Sequence, residues 1–365
     1  MSCELVIEST IEVTRSDQLD DPEWDAFLES SPNGEYQQSS IWARVKAGEG
    51  WRVDRLMLRE AGTILSGFQL LWRESKFGRI GYVSRGPVIA NPKASCNSLV
   101  HELKEAGCRL ELRFLIVQPP EGCQGIESEI LGDSAFLPNR LHKVITATWV
   151  TPLDGGIDNV VAGIGRRTRQ YLASARRRGV SVEIGDRSDL GGFFDLMVKT
   201  CERQGVSPNP GDLASFEALW DSFSEDGRIR LGIATYEGRA ISAALSLSFG
   251  GRLCIWKKGS DPDYLSLHSM EILYHDAMAW GCQRDDLICD YGSLQRATAE
   301  TLIAGKPLTS AMKCTRDFFN MRFGGHALLL PKAQIYICNP LLRAIYRLTA
   351  CTFSGSKLTR SRYEW

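Results

Sequence analysis

The stretch LMLREAGTILSGFQLL (residues 56–71) is repeated in outline by GIATYEGRAISAALSL (residues 232–247). Each stretch has the pattern of a strand, a glycine-centred turn and a second strand, which predicts a β-hairpin. The turn glycines are Gly62 and Gly238, and small residues follow each turn. The two turn glycines are 176 positions apart, which is long enough for one domain. The similarity of the two stretches therefore indicates two copies of one folding unit.

The elements that follow each hairpin recur in the same order. In both halves the pattern predicts a third strand, then a helix, then another strand. These elements are expected at residues 79–84, 96–106 and 110–117 in the first half, and at 252–257, 269–280 and 287–291 in the second. Each helix is predicted to end at a Gly-Cys pair, with Gly107 and Gly281 as left-handed C-caps. The repeated order predicts two α/β domains.

The remaining segments complete the two predicted domains. The first is expected to contain an opening strand, a short helix and a closing strand, and the second to open with a helix that stops at Gly179. Their predicted positions are 5–13, 23–29 and 144–150 in the first domain, and a linker at 152–158, helices at 160–178, 189–203 and 212–223, a strand at 180–184 and a final hairpin or strand at 311–323 in the second. The resulting domains are 1–151 and 152–330, followed by a C-terminal extension at 331–365.

Composition excludes several classes of protein. The chain has 365 residues, of which 43% are hydrophobic and 24% charged, as in ordinary globular proteins. Disordered, collagen-like and coiled-coil chains are therefore excluded. The formal net charge of −1 does not fit a general nucleic-acid binder, so we expect no DNA partner, and any anion binding must be local.

The eleven cysteines are scattered, odd in number and without C-x-x-C spacing. This pattern disfavours both a zinc site and a disulfide framework, so we expect reduced thiols and no metal. The first residues lack the basic and apolar regions of a signal peptide, and the chain has no apolar run of 18 residues. These features predict a cytoplasmic protein.

Five short motifs occur in a fixed order along the chain. They are QSSIWARVK at 38–46 with Gly50-Trp51, YVSRGPV at 82–88, the Arg-rich segment from Gly165 to Val180, Asp290-Tyr291-Gly292, and Phe323-Gly324-Gly325. Over about residues 20–330 this series resembles the Fem family, the peptidoglycan interpeptide-bridge aminoacyltransferases and related acetyltransferase-like proteins.

The resemblance implies both a fold and a function. The implied fold class is α/β (α+β), with two tandem Gcn5-related N-acetyltransferase-like (GNAT-like) domains, each a mixed, mostly antiparallel twisted sheet flanked by helices. The implied function is transfer of an acyl or aminoacyl group to an amine of a cell-envelope precursor, peptidoglycan-like or glycan, without a covalent enzyme intermediate. The donor would be an anionic co-substrate, acyl-CoA or aminoacyl-tRNA, rather than a tightly bound cofactor.

Two positions depart from the family pattern and leave alternatives open. Gln118 stands where bridge-forming members carry an aspartate before proline, and Asn320 stands where they carry a lysine. An acyl-CoA-dependent N-acyltransferase of sugars or polysaccharides is the first alternative, although residues 84–88 and 257–264 lack the usual pyrophosphate-binding loop. The second is a non-catalytic module that binds an anionic ligand.

Acyl transfer to an amine requires a base, donors for the oxyanion and cations for the phosphates of the acyl donor. Asp290, in the apolar strand LICDY, is the predicted base, because a carboxylate in apolar surroundings binds protons more strongly. Tyr291 and Lys313 are the other predicted catalytic residues, and Lys313 lies near position 320. The alternative for Asp290 is that it ends the strand and fixes the next turn.

Arginines dominate the helix predicted to open the second domain, and Arg166 and Arg169 lie on one face. Guanidinium groups match phosphate geometry, so these residues are predicted to bind CoA pyrophosphate, a tRNA backbone or a lipid-linked diphosphate. A solvated basic helix is the alternative. The other predicted substrate- or phosphate-binding residues are Lys257, Lys258, Arg316, Arg85, Tyr82, Gln118 and Trp42.

The C-terminal extension mixes apolar residues with arginines between Ile335 and Arg347. Such a segment either packs against the second domain or lies on a membrane surface. The second possibility would place the protein peripherally at the inner membrane face, where a lipid-linked acceptor is accessible. The sequence leaves the oligomeric state undetermined.

Overall fold

The structure is a computed structural model that describes residues 11–76, 78–90 and 96–349. It divides into two compact units. Among the described residues, unit 1 combines 11–142 with 331–349, and unit 2 comprises 143–330. The described part of the predicted C-terminal extension, residues 331–349, therefore belongs to the first unit.

Both units contain strands and helices. In chain order, the strands of the described residues are β1 (Glu12–Ser16), β2 (Arg52–Glu60), β3 (Thr63–Arg73), β4 (Ile80–Ser84), β5 (Val88–Ile89), β6 (Phe114–Gln118), β7 (Phe136–Pro138), β8 (Ala147–Pro152), β9 (Ser181–Gly185), β10 (Ile229–Tyr236), β11 (Arg239–Phe249), β12 (Arg252–Ser260), β13 (Ile288–Ser293), β14 (His326–Leu329) and β15 (Gln334–Tyr336).

The helices pack against these strands. They are α1 (Pro22–Ser30), α2 (Ser40–Ala47), α3 (Cys96–Arg109), α4 (Gln124–Gly132), α5 (Gly156–Gly163), α6 (Arg166–Arg177), α7 (Leu190–Gln204), α8 (Leu213–Phe223), α9 (Ser269–Gln283), α10 (Arg296–Ile303), α11 (Ser310–Lys313), α12 (Arg316–Met321) and α13 (Pro340–Thr349).

Unit 1 is built on a sheet in the order β1-β2-β3-β4-β6-β15-β7, with β5 paired to β3. The predicted hairpin is formed by β2 and β3, and its turn residue Gly62 has a φ of +84°. Strands β4 and β6 are parallel and are connected by α3, whose apolar residues enter the core. The predicted order of hairpin, strand, helix and strand is therefore present.

Unit 2 repeats this plan in a sheet of order β14-β8-β13-β12-β11-β10-β9. Its hairpin is formed by β10 and β11, with Gly238 at a φ of +73°. Helix α9 connects β12 to the parallel strand β13 and is largely buried against the sheet. The expected fold class, two mixed sheets flanked by helices, is confirmed.

Two strands differ from the expected partition. The strand predicted to close the first domain is β8, and it pairs with β13 and β14 in the second sheet. Strand β15 pairs with β6 and β7 in the first sheet. The boundary expected at residue 151 therefore lies between residues 142 and 143. Alternating side chains indicate a strand, but they carry no information about which sheet edge it joins.

Several element predictions were wrong. Residues 311–323 form α11 and α12 rather than a hairpin, and the predicted helix at 160–178 is divided into α5 and α6 at Gly165. Gly107 and Gly281 lie inside α3 and α9 rather than at caps. A Cβ at Gly281 would lie 2.9 Å from Leu153, so close helix packing explains this glycine.

Other predictions agree with the structure or fall outside it. Gly179 has the left-handed φ of +87° expected after the Arg-rich helix. The opening strand predicted at 5–13 lies mostly outside the described residues, which begin at position 11. No helix in the described ranges is long and apolar enough to cross a membrane.

The expectation that all thiols are reduced was wrong for one pair. The structure joins Cys108 and Cys338 in a disulfide across 230 positions of sequence. Cys108 lies in α3, and Cys338 follows β15. Because β15 enters the first sheet only after the chain has completed unit 2, the spacing of the cysteines in sequence does not indicate their proximity.

The close approach of β12 to α7 provides a test of this packing. A Cβ at Gly259 would lie 2.3 Å from the backbone nitrogen of Met197. Gly259→Ala is therefore expected to destabilise the protein by about 1–3 kcal/mol, as overpacking does, when measured by urea unfolding.

Gly192→Ala is the matched control, because a Cβ at Gly192 in α7 meets no atom within 4 Å. This control should be neutral or stabilising by up to about 1 kcal/mol, since alanine favours a helix. Equal unfolding midpoints for the two variants would contradict the packing described here.

Candidate functional site

The parallel strands β12 and β13 of unit 2 separate along their length. They pair only where Arg252–Cys254 lie beside Ile288–Asp290. Beyond Cys254, β12 continues to Ser260 in contact with β11, while β13 remains paired with β8. The edge of β12 that faces away from β11 has no strand partner there among the described residues. This separation opens the middle of the sheet, and we call it the β12–β13 opening.

Aromatic side chains fill the space behind the β12–β13 opening. The ring of Tyr274 in α9 lies 5.3 Å from that of Tyr291 and 4.8 Å from that of Phe323. The hydroxyl of Tyr291 donates a hydrogen bond to Thr151 Oγ1 at 3.0 Å, and burial raises the pKa of Tyr291 well above its usual value. Tyr291, a predicted catalytic residue, is therefore placed in the core behind the opening.

Lys258 extends from β12 toward these aromatic side chains. Its Nζ donates a hydrogen bond to the Tyr274 hydroxyl at 2.6 Å, and that hydroxyl donates to Asn320 Oδ1 at 3.0 Å. Burial, together with the positive charge of Arg316, lowers the pKa of Lys258 to about 8. A titratable amine is thus held beside the opening by two buried polar side chains.

Asp290 is held by several polar partners. Its Oδ2 lies 3.2 Å from Arg252 Nη1, and its Oδ1 accepts the backbone N–H of Gly292 at 2.8 Å and the hydroxyl of Thr148. Asp290 is therefore buried, and both of its carboxylate oxygens have polar partners. These contacts match the alternative interpretation, in which Asp290 fixes the strand end and the turn.

The predicted cationic residues Arg316, Lys313 and Lys257 differ in their surroundings. Arg316 donates to Ser293 Oγ at 2.6 Å and contributes to the lowered pKa of Lys258. Lys313 is exposed on α11, and Lys257 holds its Nζ 5.0 Å from the Trp256 ring. The structure therefore brings Arg316 and Lys258 into one electrostatic environment, whereas no contact joins Lys313 to them.

A cavity of about 300 Å³ lies at the N-terminus of α9. Its lining includes Ser260, which lies two positions after Lys258 and therefore on the same face of β12. Glu271, in the first turn of α9, is only 4% exposed. Its Oε1 accepts a hydrogen bond from Arg322 Nη2 at 3.0 Å and lies 3.5 Å from His268 Nδ1. The helix N-terminus thus already faces a carboxylate of the chain itself.

The Arg-rich helix α6 contributes an aromatic residue to this cavity. Tyr171 lines the cavity and stacks on His268 with ring centroids 3.9 Å apart. Arg169 donates to the Ala162 carbonyl at 3.0 Å and so caps α5, whereas Arg166 is exposed. The roles of Glu271, Arg322 and Tyr274 were not predicted, because the contacts from Glu271 to Arg322 and from Tyr274 to Asn320 span 51 and 46 positions of sequence.

The predicted residues of unit 1 are all buried within it. Arg85 has its Nε 3.7 Å from the carboxylate of Glu35, and the side chain of Gln118 donates to the Pro331 carbonyl at 2.9 Å. Trp42 packs edge-on to Tyr36, and burial raises the pKa of Tyr82. These contacts support the fold of unit 1, and they do not bring the four residues into a described cavity.

Comparison with known proteins finds one family model that matches part of each unit. Residues 19–130 match the model of the FemAB family, and residues 164–295 match that of an acetyltransferase (GNAT) domain. The lipid II:glycine glycyltransferase of Staphylococcus aureus strain MRSA252 is 27% identical over 294 residues, which cover 76% of this chain and 69% of that protein. The protein of the same name in strain USA300 is 26% identical over the same shares.

Solved structures support the same fold. The crystal structure of FemX superimposes with a TM-score of 0.75 at 19% identity, covering 92% of this chain and 99% of that one. A tandem GNAT protein from the clavulanic acid biosynthesis pathway gives 0.54 at 9% identity, covering 91% and 99%. These structures confirm the expected tandem GNAT-like architecture. The resemblance to the Fem family and the transferase class are confirmed by the two family matches and by the similarity to the glycyltransferases.

The contacts of Asp290 predict a structural effect of its substitution. Asp290→Asn removes the charge opposite Arg252 and is expected to lower the stability by about 1–3 kcal/mol in urea unfolding. The control is Asp195→Asn, an exposed residue of α7 that should leave stability unchanged. If Asp290→Asn abolished transfer while its unfolding midpoint matched that of the control, Asp290 would be catalytic, as the sequence suggested.

Proposed function

We propose that this chain, a relative of the FemAB family built from two GNAT-like units, transfers an aminoacyl or acyl group to an amine of a cell-envelope precursor. The observation that carries this proposal is the β12–β13 opening in the unit that matches the GNAT domain. A cavity and a half-buried amine, Lys258, lie beside the opening. The similarity to lipid II:glycine glycyltransferases supports peptidoglycan-like precursors as the acceptor class.

The opening supplies what direct transfer requires. The Ser260 N–H already donates to Thr200 Oγ1. An acyl carbonyl placed against the edge of β12 before Ser260 would accept hydrogen bonds from backbone N–H groups, which stabilise the oxyanion that forms during attack. The acceptor amine then attacks the carbonyl carbon directly. Holding both reactants in one cleft contributes to the rate by removing the entropic cost of their encounter.

The charges at the cavity favour an aminoacyl ester over acyl-CoA as the donor. A pyrophosphate at the N-terminus of α9 would face the buried carboxylate of Glu271, which already occupies the positive end of that helix. An aminoacyl-tRNA places no pyrophosphate there. The acyl-CoA-dependent alternative, with a sugar or polysaccharide acceptor, is supported by the match of residues 164–295 to the acetyltransferase domain.

The C-terminal helix α13 supports contact with a membrane surface. The side chains of Leu341, Ile345 and Leu348 lie on one face and are 70%, 47% and 75% exposed. From another face, Tyr346 donates to the Pro138 carbonyl at 3.0 Å, so the helix is held to unit 1 with its apolar face outward. A lipid-linked acceptor would place this face on the inner surface of the cytoplasmic membrane.

Transfer is tested by offering both donors to the purified chain. We expect radiolabelled amino acid to pass from charged tRNA to the amine of a lipid-linked or nucleotide-linked muramyl pentapeptide, with the matching mass increase. Acetyl-CoA is expected to leave the same acceptors unmodified. Acetylation of an amino sugar would instead support the acyl-CoA alternative, and absence of any transfer would indicate a binding module.

Membrane contact is tested by flotation with vesicles that contain phosphatidylglycerol. Replacing both Leu341 and Leu348 with Glu should reduce the floated fraction several-fold, because it places charge on the apolar face. Ile303→Glu is the matched control, since Ile303 is 57% exposed in unit 2. If the double variant floated as well as this control, the proposed membrane contact would be excluded.

A further inference from the structure

Lys258 differs from the other charged groups near the β12–β13 opening. Asp290 is paired with Arg252, and Glu271 is paired with Arg322. No carboxylate of the described residues forms an ion pair with Lys258, whose Nζ is bound instead by a neutral hydroxyl. A half-buried amine without a counter-ion is costly for a fold to keep, which indicates a role other than stability.

We propose that Lys258 is the base that accepts the proton of the acceptor amine during transfer, and that Tyr274 and Asn320 are its positioning residues. This inference rests on the proposed function, because it assigns a residue to that reaction. It gives the proton-accepting role to an amine on β12 instead of to the carboxylate of β13.

The hydrogen bonds orient the N–H groups and the lone pair of Lys258 Nζ. The Tyr274 hydroxyl donates its hydrogen to Asn320 Oδ1, so its oxygen is left to accept from Lys258. One N–H of the neutral amine is therefore directed to Tyr274, and the lone pair is directed elsewhere. Since Tyr274 and Asn320 are both buried, this arrangement holds Nζ in place beside the separated strands.

The groups around Lys258 favour its neutral form. Burial and the cations Arg316 on α12 and Lys257 on β12 act together, and the pKa of Lys258 falls to about 8. Negative charge on the thiols of Cys254 and Cys289 would raise the pKa of Lys258. Burial raises the pKa of Cys289 well above its usual value, so that thiol stays neutral. Burial likewise raises the pKa of Tyr274.

The proton balance of the proposed step closes within one turnover. The nitrogen of the neutral acceptor amine bonds to the donor carbonyl carbon, and the carbonyl electron pair moves to oxygen. Lys258 Nζ takes the proton that the nitrogen loses. When the carbonyl re-forms, the bond to the leaving ribose oxygen breaks, and the ammonium of Lys258 protonates that oxygen. The products are an amide and a free hydroxyl, and Lys258 is neutral again.

Two substitutions separate a base from a phosphate-binding cation. Lys258→Arg keeps the positive charge but cannot lose its proton at the pH of the assay, and Lys258→Met removes both functions. We expect both variants to lower kcat by about 100-fold or more, with little change in the KM of the donor. Lys306→Met is the control, because Lys306 is exposed in unit 2.

The pH profile and rescue provide readouts that a structural role would not affect. Wild-type kcat should rise with pH to a plateau above about 8, because the base must be unprotonated, and Lys258→Met should lose this inflection. Tyr274→Phe should shift the inflection while circular dichroism shows an intact fold. Added methylamine should partly restore Lys258→Ala.

Three results would overturn the inference. If Lys258→Arg retained wild-type kcat, Lys258 would act only as a cation. If all variants shared the wild-type pH profile, the base would lie elsewhere. If the wild-type chain transferred nothing from any donor, the proposed function itself would fail, and that failure is distinct because it appears before any substitution is made.

Discussion

The structure depends on the limited pairing of β12 with β13. Three residues of each strand are paired. Beyond them, the stacked rings of Tyr274 and Tyr291 fill the space behind the β12–β13 opening. Two parallel strands that stayed paired would satisfy their backbone groups with each other. Because they separate, the edge of β12 that faces away from β11 has no strand partner after Cys254 among the described residues, and at its far end Ser260 bonds to Thr200 of α7 instead.

The two units use the same plan with different results. In unit 1 the corresponding strands β4 and β6 stay paired through Ser84 and Gln118, and the Gly86 N–H also donates to the Gln118 carbonyl. Next to this strand end, Arg85 forms a buried ion pair with Glu35. In unit 2, Lys258 of β12 has no carboxylate partner among the described residues, and the proposed chemistry rests on this difference.

The residues with the strongest local signal in the sequence have structural contacts in the fold. An aspartate in an apolar strand and a run of arginines suggest catalysis and phosphate binding, yet Asp290 is paired with Arg252 and Arg169 caps a helix. Lys258 was predicted as a substrate- or phosphate-binding residue and not as a base. Its hydrogen bond to Tyr274 crosses 16 positions, and the bond from Tyr274 to Asn320 crosses another 46. No local pattern encodes such contacts.

The sequence by itself determined the repeated order of hairpin, strand, helix and strand, and the left-handed residues Gly62, Gly179 and Gly238. These features depend on side-chain periodicity and backbone sterics within a few positions. Only the tertiary structure decided which sheet β8 and β15 join, that Cys108 meets Cys338, and that Lys258 faces a neutral hydroxyl. Strand pairing and the desolvation of a charge depend on groups that are distant in sequence. They are therefore determined only by the tertiary fold, which brings these groups together.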